Sequence, residues 1–269
     1  MGVAEIGIIG GSGFYQLLSG GRELMVQTPY GSPSDVIVLG ELRGRACAFI
    51  PRHGRRHTLP PHRIPYRANI YALKELGVTQ VISISAAGAL TEQYAVGEIV
   101  FADQLVDFTR GRSGDTFFDG PITTHIGFTE PFCPGMRAVA LEAAKHLKLK
   151  FHERGTVVVT PGPRFSTRAE SAYFAAQGWH LENMTQYPEA VLARELTLSY
   201  LNVSIITNSH VQAREEKAGE LASASEAIEV LKAAQDTITV LIGEIIARLP
   251  TGEKRPEFIR DALNKARWV

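Results

Sequence analysis

The chain has 269 residues, 45% hydrophobic and 21% charged, enough for one large globular domain or two small ones. Lys plus Arg equals Asp plus Glu at 28 each, so no net field draws it to nucleic acid or an anionic membrane. The two cysteines, Cys47 and Cys133, lie far apart, which argues against a disulfide framework or a cysteine metal site. No signal peptide is visible and no apolar run approaches the ~18 residues of a membrane span, so a reducing cytoplasm is the expected compartment.

The first element, Glu5 to Gly10, is a short apolar strand entering the turn Gly11-Ser12-Gly13. Such a turn aims backbone N–H groups and the Ser12 hydroxyl at one small volume, which suits an anion, most often phosphate. A dinucleotide-binding turn is disfavoured. Its third glycine would fall at Gln16, and the segments that follow (22–28, 34–41 and 45–51) read as strands, not as a long helix. A triphosphate loop lacks its Gly-Lys-Ser/Thr ending. Arg52-His53-Gly54-Arg55-Arg56-His57 follows the strand 45–51 and places a guanidinium and an imidazole at its end. Zinc on His53 and His57 is disfavoured, because their spacing needs a helix and Gly54 opposes one.

A helix is expected over 66–76, where Ile70, Leu73 and Leu76 share a face and Gly77 stops the pattern. Strands follow at 79–85, ending in Ser85-Ala86-Ala87-Gly88, and at 98–106. The segment 107–131 is a long polar connection bearing aromatic residues, of the kind that is more often functional than idle. Beyond it come a helix over 134–147 with Pro134 in its first turn, a strand at 155–160 and the turn Gly162-Pro163-Arg164-Phe165-Ser166. Helices over 167–177 and 187–196, a strand at 199–207 and a long helix over 222–248 complete the order. Four polar turns at strand ends suggest one cleft at a sheet edge. The expected fold is α/β: one domain over 1–249 with a mixed central sheet flanked by helices, then a charged tail over 250–269 with an amphipathic stretch from Phe258 to Trp268.

The motifs Ile8-Ile9-Gly10-Gly11-Ser12-Gly13, Arg52-His53-Gly54, Tyr66-Arg67-Ala68-Asn69-Ile70, Ser85-Ala86-Ala87-Gly88-Ala89-Leu90, Thr129-Glu130-Pro131-Phe132-Cys133-Pro134, Gly162 to Glu170 and Asn183-Met184-Thr185 with Pro188-Glu189 occur in order. Together they resemble the trimeric purine nucleoside phosphorylase family, and within it the methylthioadenosine phosphorylase branch, over about Glu5 to Leu249. The resemblance implies phosphorolysis: phosphate attacks the anomeric carbon of a purine nucleoside, releasing the base and a ribose 1-phosphate. An oxocarbenium-like transition state needs an anion held beneath it and charge stabilised on the departing base. Neither a metal nor another cofactor is implied, inorganic phosphate being a co-substrate.

Carried over residue by residue, the resemblance makes Ser12, Arg52, His53, Ser85, Ala86 (through its backbone N–H) and Thr185 the phosphate cradle, with Arg52 and His53 also counted as catalytic. Met184 is expected against the ribose and Phe165 against the base. Glu170 and Glu189 are read as capping or structural ion-pair residues. His125 occupies the place from which the family closes a neighbouring subunit's 5′ pocket, which implies a homotrimer.

Substrate choice turns on departures from the family pattern. The methylthioadenosine branch ends its base-reading strand in Thr-Asp-x-Asp, whereas this chain has Thr207-Asn208-Ser209-His210. Asn208, the residue expected to meet N7 and stabilise the leaving base, can donate to a 6-carbonyl as a carboxylate cannot. Ser166 points the other way, towards 6-aminopurines, and His210 can serve as donor or acceptor. The expectation therefore sets 6-oxopurines slightly ahead and leaves methylthioadenosine as the alternative. On the 5′ side the resemblance implies a lining of Ser223, Ala224, Ala227 and Ile228, small and mostly apolar, which would favour a methylthio or bulkier group over a free hydroxyl. A non-catalytic nucleoside-binding relative and a nucleoside hydrolase are the rival classes.

Overall fold

The computed structural model describes residues 2–11, 14, 17–18, 20–121, 123–210 and 224–251, the Ala224 side chain excepted. Ser12, Ser223 and the tail from 252, with its Phe258 to Trp268 stretch, lie outside the described residues.

The architecture is the expected mixed sheet between helices. Strand β1 (Ile6–Gly10) is buried along its whole length because it has helices on both faces. Its alternation sends Ile9 into one core cluster and Ile6 and Ile8 into the other. As expected, strands follow it instead of a long helix: β2 (Arg22–Leu24), β3 (Ile37–Leu42) and β4 (Arg45–Pro51). The antiparallel β3–β4 hairpin closes on Arg43-Gly44, both at positive φ (56° and 74°), and β4 then runs parallel to β1.

Helix α1 (Tyr66–Glu75) buries Ile70 and Leu73. Helix α2 (Pro134–His146) has proline in its first turn, where a missing N–H costs no bond. Thr167 and Glu170 form a capping box on α3 (Arg168–Ala176). Helix α4 (Gln186–Glu195) joins α1 in the first core cluster, and α5 (Ala224–Arg248) joins α2 in the second.

Three strand expectations need correction. The segment 98–106 is two short strands, β6 (Ile99–Val100) and β7 (Gln104–Asp107), which serve different neighbours. Strands β8 (Phe151–His152) and β10 (Leu181–Asn183) were not anticipated, being too short to show alternation. Strand β5 (Gln80–Ala89) continues through the Ser85-Ala86-Ala87-Gly88 motif instead of turning there. Strands β9 (Thr156–Val159) and β11 (Ser199–Ser209) complete the sheet.

That extension of β5 creates the cleft. One edge of β5 pairs with β1 from Gln80 to Ser83, and further along with β10 at Gly88 and Ala89. Between these partners Ile84, Ser85, Ala86 and Ala87 have no strand on that side among the described residues, and all four line a cavity. The other edge stays paired with β11, whose register slips between Ile206 and Asn208 and re-aims the base-reading motif.

Candidate active site

The cavity at this fork measures about 500 Å³, large enough for a nucleoside. One part is built for an anion. Gly11 follows β1 there, and Ser85, Ala86, Thr185, Arg52 and His53 line the same volume. Asn183 Nδ2 donates to Ala86 O at 3.1 Å, which fixes that carbonyl towards the open edge. A strand residue's N–H and C=O point to the same side, so Ala86 N–H faces the opening as well. Asn183 Oδ1 accepts from Thr185 N at 2.6 Å and Gln186 N at 2.9 Å, tying the start of α4 to β10. The Thr185 hydroxyl makes no cap bond to α4, and Ser85 Oγ is held by Asn202 Nδ2 at 3.1 Å.

Arg52 does not present a free fork. It is 1% exposed and bidentate to Glu189, with Nε to Oε2 at 2.8 Å and Nη2 to Oε1 at 3.0 Å. Its Nη2 also donates to Ser83 Oγ at 2.6 Å, and Nη1 to Ile84 O at 2.9 Å. A guanidinium has five N–H donors, so one N–H on Nη1 remains for a ligand. Gly11 sits against that atom: a Cβ built there would lie 3.7 Å from Nη1. Burial disfavours the Arg52 charge, and Glu189 more than offsets this, holding its pKa above the ordinary value. Glu189 is thus the structural ion-pair residue, while Glu170 caps α3 and pairs with Arg164 at 2.7 Å.

His53 is engaged as well. Its Nδ1 donates to Leu59 O at 2.8 Å, so that N–H is already used within the chain. Burial first, and the Arg52 charge second, push its pKa down to about 4, so the ring is neutral. Its Nε2 is then an acceptor, suited to the hydroxyl of a monoprotonated phosphate. The ring stacks on His57 at 4.5 Å between centroids.

The other part of the cavity is a polar edge. Gly88, Glu182, Thr207, Asn208 and His210 line it, with Phe165 and Met184 alongside. A Cβ on Gly88 would lie 2.4 Å from His210 Nε2 and 3.0 Å from Asn208 Nδ2, so only glycine lets these groups pack on β5. Thr207 Oγ1 donates to Asn208 Oδ1 at 3.1 Å. Burial lowers the His210 pKa and Glu182 opposes that. Helix α5 supplies an apolar wall of Ala227, Ile228 and Leu231.

Two expected residues stand elsewhere. Ser166 lines a separate hollow of about 110 Å³, because its Oγ turns to donate to Glu182 Oε1. His125 is exposed and does not line the cavity of its own chain. The long connection is nonetheless tied to the site: Arg112 donates to the carbonyls of Thr160, Pro161, Met184 and Tyr187. Sequence reasoning missed Arg112, Asn183 and Glu182 as site-building groups. Glu182 could be suspected only as an acid set directly before the Asn183-Met184-Thr185 motif.

An anion cradle continuous with a hydrogen-bonding edge for a flat base, both at a fork in a mixed sheet, is the site of a nucleoside-handling α/β enzyme. The phosphorylase superfamily model matches residues 5–247, and the chain belongs to that family. The S-methyl-5′-thioadenosine phosphorylase of Thermofilum pendens is 44% identical over 93% of this chain and 94% of its own length. The purine nucleoside phosphorylase of Streptomyces coelicolor is 45% identical over 94% and 91%. Among solved structures, methylthioadenosine phosphorylase from Schistosoma mansoni in complex with adenine superposes with a TM-score of 0.90 at 32% identity, covering 98% of this chain and 99% of that one.

Proposed function

We infer that this enzyme carries out phosphorolysis of a purine nucleoside, releasing the base and a ribose 1-phosphate, with 5′-modified nucleosides such as 5′-methylthio compounds preferred. The observation that carries this is the single cavity joining an anion-holding sheet edge to a base-reading edge. Phosphate held by Ala86 N–H, Ser85, Thr185 and the remaining Arg52 N–H, together with Ser12 from the family match, lies beneath the anomeric carbon. His53 Nε2 takes the hydrogen bond of its hydroxyl. As the glycosidic bond lengthens, charge grows on the base, and Asn208 meets it at N7 and the 6-position. Met184 packs on the ribose and Phe165 on the base. Ala227 and Ile228, with Ala224 from the family match, make the 5′ side apolar and would leave a hydroxyl unpaired.

Asn208 in place of an acid supports 6-oxopurines over 6-aminopurines as the first reading. Methylthioadenosine phosphorolysis is the second reading, favoured by the names of several relatives. No cofactor beyond the phosphate co-substrate is required. Because His125 stands outside its own cavity on the long connection, the reading includes a homotrimer in which it closes a neighbour's 5′ pocket, in a cytoplasmic salvage role. A panel of adenosine, inosine, guanosine, methylthioadenosine and methylthioinosine, assayed with and without phosphate, tests it. Phosphate-dependent release of ribose 1-phosphate is expected, and base release without phosphate would identify a hydrolase instead.

A further inference from the structure

Glu182 stands on β10 in register with Gly88, is 5% exposed, and lines the cavity beside Asn208 and His210. Its two oxygens have different surroundings. Oε1 accepts from Thr160 Oγ1 at 3.1 Å and from Ser166 Oγ, whereas Oε2 is buried without a hydrogen-bond partner. A buried carboxylate with an idle oxygen is costly, so the site is short of one donor. The near candidate is His210 Nε2, at 3.4 Å, but Asn208 Nδ2 lies 3.3 Å from that same nitrogen. One ring nitrogen cannot accept from Asn208 and donate to Glu182 at once.

Asn208 Oδ1 is held by Thr207, so its N–H₂ is the half turned to this cluster. An acceptor lacking a donor and an amide donor therefore sit on either side of one imidazole. A 6-oxopurine carries the complementary order, a ring N1–H donor beside a 6-carbonyl acceptor. A 6-aminopurine carries the reverse, an N1 lone pair beside an amino donor.

We propose that Glu182 selects the base: its Oε2 accepts the N1–H of a 6-oxopurine while Asn208 donates on the carbonyl side. A 6-aminopurine would set its N1 lone pair against the carboxylate. This assignment rests on the phosphorylase reading of the cavity and adds to it a specificity residue on a different strand from Asn208 and His210.

The test compares kcat/KM for methylthioinosine and methylthioadenosine in the parent and in E182Q and E182L. The parent is expected to favour the 6-oxo substrate by on the order of 10²-fold, and both variants to bring that ratio to within a few-fold of unity. A parent that favours methylthioadenosine, or variants that lose both activities in equal proportion, would overturn the assignment. Calorimetric binding of free hypoxanthine and adenine reads the same selection without catalysis and uses the parent even if a variant fails to fold. Tighter hypoxanthine binding in the parent that is lost in E182Q or E182L supports Glu182, and a preference that both variants keep, or equal binding of the two bases in the parent, refutes it. Failure of every nucleoside to turn over with phosphate would sink the phosphorylase reading alone, since the ratio of base affinities would still decide the role of Glu182.

Discussion

The Arg52–Glu189 pair can be broken from one side by Glu189→Gln. Both side chains are 1% exposed, and the carboxylate accepts from Arg52 Nε, Arg52 Nη2, Ser83 Oγ and Tyr200 OH at 2.6 to 3.0 Å. Every surrounding group is a donor. Glutamine would turn an N–H₂ towards at least one of them and would leave the guanidinium charge buried without its partner. Removing one member of a buried ion pair costs about 3–5 kcal/mol. In a domain of this size that corresponds to a fall in Tm of roughly 10 °C. Urea unfolding followed by fluorescence, with phosphate excluded, measures it. A Glu189→Gln protein within about 1 kcal/mol of the parent would refute the reasoning. It would show that Arg52 does not depend on Glu189 and that its charge is directed at the cavity.

Three further outcomes are expected. His53 is neutral in the fold with its pKa at about 4, below the ordinary 6.5, so its contribution to stability is full above pH 6.5 and is lost as pH falls towards 4. That loss is on the order of 3 kcal/mol, and comparing urea midpoints of the parent and His53→Asn across this window should show a shallower slope in the variant. Arg112→Ala removes the donor shared by the Thr160, Pro161, Met184 and Tyr187 carbonyls. It should destabilise the protein by about 2–3 kcal/mol and raise KM for the nucleoside, and an unchanged KM would detach the long connection from the site. Asn208→Asp should shift kcat/KM towards 6-aminopurines by on the order of 10²-fold, because a carboxylate repels a 6-carbonyl. The methylthioinosine to methylthioadenosine ratio reads it.

The long elements were legible because burial imposes a period on them. Ile6, Ile8 and Ile9 in β1, and Ile238, Leu241, Ile242 and Ile245 in α5, declare both their element and their buried faces. Most of the motif residues from Arg52 to His210, Ser166 and His125 excepted, could be gathered into one site for a similar reason, since strand ends in an α/β sheet converge on a cleft. Short strands escaped, because the few residues of β10 and β8 cannot display a period, and with β10 went Glu182.

Sequence by itself determined the α/β class, the order of the principal elements and which side chains could hold phosphate and base. Only the tertiary structure decided how those side chains are engaged. Arg52 has most of its donors taken by Glu189, Ser83 and Ile84; His53 donates its Nδ1–H to Leu59 O; Ser166 has turned to Glu182. The physical reason is that a residue type fixes how many hydrogen bonds a side chain can make, whereas the partners that compete for them come from other segments that only folding brings alongside. Arg52 and Glu189, for instance, are 137 residues apart.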